Sequence, residues 1–253
     1  MLDKYVYGEV NRLSPEAPVP ILDIKEQINY LGGAANVANN IKALGGEPFL
    51  FGYVGEDYFG RIIKDKLKES KIKSKLFKTK KTTLKIRFGY PHILRVDEEE
   101  KVDKTFDEEI IKQIKKIKPS IIIISDYAKG SITQKLFNKL KKLKVKLIVD
   151  PKPKNKIDYT GCYLIVPNLK ESKELIGKCK NVLVTMGAEG MKLGPRHFPT
   201  EAKEIYDVTG AGDTVIASLA VKLSQGETLI NSIIFANKMA GKVVSKRGTS
   251  TIK

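Results

Sequence analysis

Between Tyr206 and Thr214 the chain reads Tyr206-Asp207-Val208-Thr209-Gly210-Ala211-Gly212-Asp213-Thr214, residue types and a spacing that could transfer a phosphoryl group. Gly210 and Gly212 leave the backbone uncrowded, so free amides of Gly210, Ala211 and Gly212 can converge on an anion where a helix starts. Ala217, Leu219, Ala220 and Leu223 continue that helix as an apolar run, which Gly226 ends. Asp213 sits inside the same turn, where a carboxylate can orient or deprotonate a hydroxyl beside donors for phosphate oxygens. A glycine-rich helix start with an acidic first turn uses the same residues, so the turn alone leaves both readings open. At a helix N-terminus the Asp213 carboxyl is expected to keep a low pKa, which a loose transition state tolerates because it needs positioning more than strong deprotonation.

Other residues could serve such a site. Gly32, Gly33 and Asn36 put small residues and an amide at a second helix start. The amide could hold a polyol, since it donates and accepts, or could cap the helix. Asp126 follows the fully apolar run Ile121–Ser125, at the carboxyl end of a strand, where open α/β sheets bind ligands. Lys85 and Arg87, two apart, project to one face of a strand, a point charge and a fork that both suit a phosphate; among 46 basic residues they equally read as surface charge. Asn168 and Glu171 have the spacing of an N-cap and a capping-box glutamate. Thr185, Gly187 and Gly190 form a small-residue loop after a buried strand, open to a nucleotide or to a plain hairpin turn. His92 and His197 show no ligand spacing.

Positioning these groups falls to alternating helices and strands. Helices are expected over Asn36–Leu44, Tyr58–Ser70, Phe106–Ile117, Gln134–Leu143, Leu169–Ile176, Ala211–Leu223 and Leu229–Lys246. Strands are expected over Pro48–Val54, Ile121–Ser125, Lys146–Asp150, Tyr163–Val166 and Val182–Thr185. Repeated βα units mean a parallel sheet covered by helices on both faces, hence an α/β fold in a single domain over residues 1–253. Residues 19–30 and 74–96 alternate apolar and polar side chains instead, as half-exposed antiparallel strands do.

At 253 residues the chain can bury a full core, and 42% hydrophobic with 30% charged residues describes an ordinary globular protein. No apolar run approaches the roughly 20 residues of a membrane span, and the start shows no signal-peptide pattern. Cys162 and Cys179 have no metal-ligand spacing, so a reducing cytoplasm is expected. The charge of +17 is spread as lysine at helix-face spacing, without tryptophan or aromatic interleaving, which argues against nucleic acid as partner.

The Asp207–Thr214 turn resembles the C-terminal signature of the ribokinase-like sugar kinases, the phosphofructokinase B family. Leu31-Gly32-Gly33-Ala34-Ala35-Asn36-Val37-Ala38 is similar to that family's N-terminal Gly-Gly signature. Met1–Tyr5, Ser14–Pro20, Leu94–Asp97, Ser125–Gly130 and Gly248–Thr251 resemble its heptose-phosphate kinases, in the same order along the chain. The resemblance implies a ribokinase-like fold with a small antiparallel β lid. It implies ATP- and Mg²⁺-dependent phosphorylation of the C1 hydroxyl of D-glycero-D-manno-heptose 7-phosphate. Asp213 would be the base and Gly210, Ala211 and Gly212 the anion hole. Asn168, Glu171, Thr185, Gly187, Gly190 and Asn237 would serve the nucleotide, with Glu171 reaching the metal through water. Asp3, Gly32, Gly33, Asn36 and Asp126 would hold the sugar, and Lys85, Arg87 and Lys129 its phosphate. Lid strands in the family often pair between subunits. Leu84 or Ile86 is therefore expected to lie exposed in a monomer and covered in a homodimer. Departures from the family pattern stand out, among them a short hairpin around Gly194-Pro195-Arg196. The family places a strand before the Met-Leu-Asp segment, and its absence is expected to expose an edge or an apolar slot. Gly177–Val182 is also shorter than the family pattern, lacking a helix. Rival readings are a kinase for another sugar or sugar phosphate, and an inactive ligand-binding relative.

Overall fold

The computed structural model describes residues 1–89, 92–201 and 208–245. Tyr206, Asp207 and Gly248–Thr251, which carry part of the resemblance, fall outside the described residues. Two long strands, β1 (Leu2–Leu13) and β2 (Pro20–Leu31), pair antiparallel from Leu2 opposite Leu31 to Leu13 opposite Pro20. Helix α1 (Ala34–Ala43) leads to β3 (Phe49–Gly55), α2 (Tyr58–Glu69) and β4 (Lys73–Thr79), a βαβ unit whose strands pair in parallel. Asp57 sets the start of α2 by accepting from the Gly60 amide, and Ile63 and Leu67 bury its apolar stripe.

The next two strands, β5 (Leu84–Phe88) and β6 (Leu94–Glu98), return to the first pair and complete a four-stranded sheet in the order β2-β1-β5-β6. The lid therefore differs from the expected one. Residues 74–79 belong to the parallel core as β4, while β1 is a lid strand that the alternation did not reveal. Leu84 is 0% exposed, and Ile86, partly buried, packs against the core cluster that holds Leu2, Leu31, Ala35, Ile63 and Leu67. The expected exposure of these two residues is overturned, because this face of β5 lies against the helices. Apolar exposure on the lid falls instead at Val10, Leu13, Val19, Ile24, Ile93 and Leu94.

Alternation then resumes through α3 (Asp107–Ile117), β7 (Ile121–Ser125), α4 (Gln134–Lys141), β8 (Lys146–Asp150) and β9 (Leu164–Ile165), the last three strands pairing in parallel. A single turn, α5 (Leu169–Ser172), precedes the hairpin strands β10 (Leu183–Thr185), β11 (Met191–Leu193) and β12 (Arg196–Phe198). No helix forms over Gly177–Val182, as expected from its length. Two long helices, α6 (Ala211–Ser224) and α7 (Leu229–Val244), close the described chain. Almost every side chain of α6 from Thr214 to Leu223 is buried, so this helix is a core element whose N-terminus alone meets the site. No described helix is long and apolar enough to cross a membrane.

The parallel strands do not form one sheet. β3 is bonded only to β4, and β7 only to β8, so β3 and β7 each keep an open edge among the described residues. Between those edges lies a cavity of about 660 Å³.

Candidate active site

Asp213 stands in the first turn of α6, and side chains from distant parts of the chain converge on it. Gly210 begins the helix at φ 82°, a left-handed conformation that suits glycine, and no side chain caps the turn. A Cβ at Gly212 would meet nothing within 4 Å, so the backbone there is open to a large anion. Asn36, on the first turn of α1, donates its amide to Asp213 Oδ2 at 2.7 Å, and the Tyr127 hydroxyl donates to Oδ1 at 3.3 Å. The Lys85 ammonium lies 5.7 Å from the centre of the Tyr127 ring.

These neighbours set the chemistry of the carboxyl. Burial raises the Asp213 pKa from 3.8 to about 6, with the Asp3 charge adding to the rise, while bonds from Asn36 and Tyr127 and the charge of Lys85 oppose it. The low value expected from the helix N-terminus is overturned, since desolvation outweighs the helix field. A carboxylate poised near neutrality is a better general base than an ordinary one. Burial and the Asp213 charge push the Tyr127 phenol well above its usual range, so it remains a donor.

The expected sugar-side residues gather here, but not all with free groups. Asp3 and Arg87 are both buried and paired to each other at 2.7 Å, and the guanidinium lies over the Tyr5 ring at 5.1 Å. Arg87 is thus a strut for β1 and β5 rather than a fork open to a phosphate. Gly32 is required by this pair, because a Cβ there would meet Asp3 Oδ2 at 2.3 Å. Gly33, at φ 56°, lets the Tyr127 ring approach, with Cε2 3.1 Å from where a Cβ would stand. Asn36 is 1% exposed and divides its amide between Asp213 and Asn40, which makes it an orienting group for the carboxylate rather than a polyol contact. Lys129 pairs with Glu99. Lys85 joins no ion pair among the described residues, and its charge reaches Asp213.

Asp126 is 2% exposed, and both its oxygens are engaged. Oδ1 accepts from the Ala128 amide at 2.8 Å, Oδ2 from the Tyr159 hydroxyl at 2.6 Å, and Asn155 Nδ2 reaches both at 3.0 and 2.9 Å. Asp126 thus has both oxygens bonded within the protein. It brackets the loop that presents Tyr127, in which Ala128 is held at φ 55°. Asn155 and Tyr159 carried no signal in the sequence, because their partner is distant along the chain.

On the nucleotide side the capping-box reading is what the structure contains. Asn168 Oδ1 accepts from the Glu171 amide at 2.9 Å, and Glu171 Oε2 from the Asn168 amide at 3.1 Å. Glu171 Oε1 also accepts from Lys152 at 2.8 Å. Thr185 bonds the Pro167 carbonyl, and Gly187, at φ 60°, has open space where a Cβ would stand. Gly190 has a packing reason, since a Cβ would meet the Phe198 carbonyl at 2.1 Å. Asn237 is buried and donates to the Pro199 carbonyl at 2.5 Å, which ties α7 to the chain after β12. Asp150, at the end of β8, was missed. Burial, then the charges of Asp213 and Glu171, push it well above the usual carboxylate range. Its only sequence signal was its place at a strand's carboxyl end. Among the described residues no three acidic, histidine or cysteine side chains cluster as a closed metal cage. The negative charge that Asp213 and Glu171 place around Asp150 nonetheless fits a hard, water-rich cation such as Mg²⁺, which binds through few carboxylates.

With this geometry in hand, comparisons with known proteins bear on it. The pfkB family carbohydrate kinase model matches residues 4–253. The bifunctional protein HldE of Yersinia enterocolitica is 38% identical over 284 aligned residues, spanning all of this chain and 60% of that protein. HldE of Vibrio cholerae is 36% identical with the same coverage, and that of Blochmanniella floridana is 37% identical with 59% of its length covered. The chain thus spans about 60% of the length of these relatives. Among solved structures, phosphofructokinase-2 from Escherichia coli in complex with potassium superposes with a TM-score of 0.79 at 18% identity, covering 98% of this chain and 91% of that one. Ribokinase from Thermotoga maritima gives 0.75 at 19% identity, with the same coverage of each chain. At such identities these structures show the fold, which is ribokinase-like.

Proposed function

The chain belongs to the pfkB family of carbohydrate kinases, and on that premise we propose that it transfers the γ-phosphate of ATP to the C1 hydroxyl of D-glycero-D-manno-heptose 7-phosphate. The observation that carries this reading is Asp213, held by Asn36 and Tyr127 at an uncapped helix start with its pKa raised to about 6. Asp213 aligns the C1 hydroxyl and accepts its proton as the oxygen attacks. Backbone amides of Gly210 and Gly212 meet charge on the transferring phosphoryl group, while that of Ala211 is given to the Val208 carbonyl, in a site where water is largely excluded. Tyr127 and Asn36 keep the carboxylate in one orientation, so the base is positioned before substrate arrives.

Mg²⁺, when bound, neutralises charge on the nucleotide phosphates; Glu171 and Asp150 are the residues that would hold it, through water. Open backbone at Gly187 leaves room for the nucleotide beside α5 and β10. Lys85 is the cation best suited to the sugar's own phosphate, because Arg87 and Lys129 already have carboxylate partners. The exposed apolar residues of the lid support pairing with a second copy, which would cover Leu13, Ile24 and Leu94 and shield the site. The reading is of a cytoplasmic homodimeric enzyme.

A panel of acceptors assayed by ADP release tests this. Heptose 7-phosphate should be turned over with a kcat/KM at least about 10²-fold above that of the unphosphorylated heptose, fructose 6-phosphate or ribose. A preference for any of the other three assigns the site to that sugar instead.

A further inference from the structure

Two segments on either side of α5 run side by side. Ile165 bridges Val182 and Asn168 bridges Thr185, both in parallel and both with the same offset in sequence. Cys162 and Cys179 share that offset, and the bond from the Gly161 amide to the Lys178 carbonyl carries the pairing back to them. Neighbouring parallel strands hold such partners about 5 Å apart at Cα, inside the range that a disulfide spans. Both cysteines belong to one apolar cluster with Phe137 and Tyr159. Cys162 is 1% exposed there, whereas Cys179 packs at its margin and keeps part of its surface open. Their thiols bond to each other, and Cys179 Sγ also donates to the Tyr159 carbonyl at 3.5 Å. The mutual bond and burial push the Cys162 thiol up. The same bond, received by Cys179, holds that thiol below its ordinary value against burial and the Asp158 charge. One sulfur is thus reachable and the other is buried behind it.

We propose that Cys179 and Cys162 are a peroxide-responsive thiol pair, Cys179 attacking and Cys162 resolving, whose disulfide locks the segment carrying Asn168 and Glu171. The Cys179 thiolate attacks one oxygen of hydrogen peroxide, the O–O bond breaks, and hydroxide leaves, so that the sulfur becomes a sulfenic acid. The Cys162 sulfur then attacks the Cys179 sulfur. The S–O bond breaks, and the departing hydroxide takes up the Cys162 proton. Two thiols and one peroxide yield one disulfide and two waters, and a low-molecular-weight thiol reverses the change. The ring so closed runs through β9 and α5 and contains the Asn168–Glu171 capping box. A two-residue strand and a single helical turn hold little by themselves, so a cross-link constrains this segment more than it would a long element. The site is independent of the phosphoryl-transfer reading.

The chain has two cysteines, so intact mass identifies the product. Reduced protein treated with hydrogen peroxide at pH 7 should lose two hydrogens as a monomer, about 10-fold faster folded than in urea, and regain them with glutathione. In the disulfide form, exchange should slow by about 10-fold at the Ile165 and Thr185 amides, which bond Asn181 and Pro167 across the two segments. Cys162→Ala should accumulate a dimedone adduct at Cys179, and Cys179→Ala should stay unmodified over the same time. The measurements on the parent chain decide the matter by themselves if a variant fails to fold. A sulfinic acid in place of the disulfide, a disulfide between two chains, or oxidation no faster in the folded chain would overturn the proposal. So would unchanged exchange at both amides, or a dimedone adduct formed at Cys162 in the Cys179→Ala variant.

Discussion

Asn36 and Asp213 are 177 residues apart in sequence, yet the amide of one meets the carboxylate of the other at 2.7 Å. The bond joins the glycine turn before α1 to the glycine turn before α6, and it lowers the pKa of a carboxyl that burial raises. Replacing Asn36 with Leu removes the donor and leaves the desolvation. The acid limb of the kcat–pH profile should then move upward from about 6, with turnover at pH 7 reduced by about 10-fold. An unmoved limb would separate Asn36 from the base.

Asp213→Asn should lower kcat by about 10² or more with little change in ATP affinity. The same variant should be more stable at pH 7. Unfolded, Asp213 titrates near 3.8; folded, near 6. Between those values the native state holds a proton that the unfolded state has lost, so stability falls as pH rises through the window. Thermal melts should show the gain of the asparagine variant at pH 7.5 and its disappearance towards pH 4.

Lys85→Ala should raise KM for heptose 7-phosphate by 10-fold or more and leave KM for ATP nearly unchanged, because it removes a charge-assisted contact to the sugar alone. Lys129→Ala should have the smaller effect, since Lys129 is engaged with Glu99. Initial-rate kinetics on both substrates distinguish the two.

Tyr159→Phe and Asn155→Ala each free one side of Asp126 and loosen the loop that delivers Tyr127. Losing the Tyr127 bond raises the pKa of Asp213, so both variants should shift the acid limb in the direction that Tyr127→Phe does, by a smaller amount, with KM for ATP preserved. A fall in activity without a shift in the limb would mean that they act on folding alone.

Leu94, 56% exposed on β6, belongs to the lid surface offered to a second copy. Leu94→Asp should convert a micromolar dimer to monomer in sedimentation and raise sugar-independent ATPase relative to kinase turnover. A monomeric parent protein removes the basis for this expectation.

Much of the scaffold was legible because its signals are local. Ile121–Ser125 and Lys146–Asp150 fall where their apolar runs place them, and α2, α3 and α6 lie within a residue or two of their expected bounds. The lid was less legible. Residues 74–79 alternate like a half-exposed strand, yet β4 pairs in parallel with β3, with Phe77 in the core cluster of α3 and α4 and Leu76 packed against that of α1 and α2. In the site, residue types marked Asp213, Asn36, Lys85 and Asp126 as polar groups worth placing, but not which oxygen each would meet. Asp126 and Arg87 proved to be buried struts because Tyr159, Asn155 and Asp3 reach them from far along the chain. The pKa of Asp213 was misjudged for the same reason: helix position is a local fact, and desolvation is a property of the assembled site.

Phosphorus NMR of the protein with ATP, Mg²⁺ and D-glycero-D-manno-heptose 7-phosphate tests the central claim most directly. An anomeric phosphate resonance should grow in step with ADP while the 7-phosphate persists, and Asp213→Asn should slow it by about 10² or more. ADP formation without a C1 phosphate, a phosphate at another carbon, or equal rates in the asparagine variant would contradict the assignment.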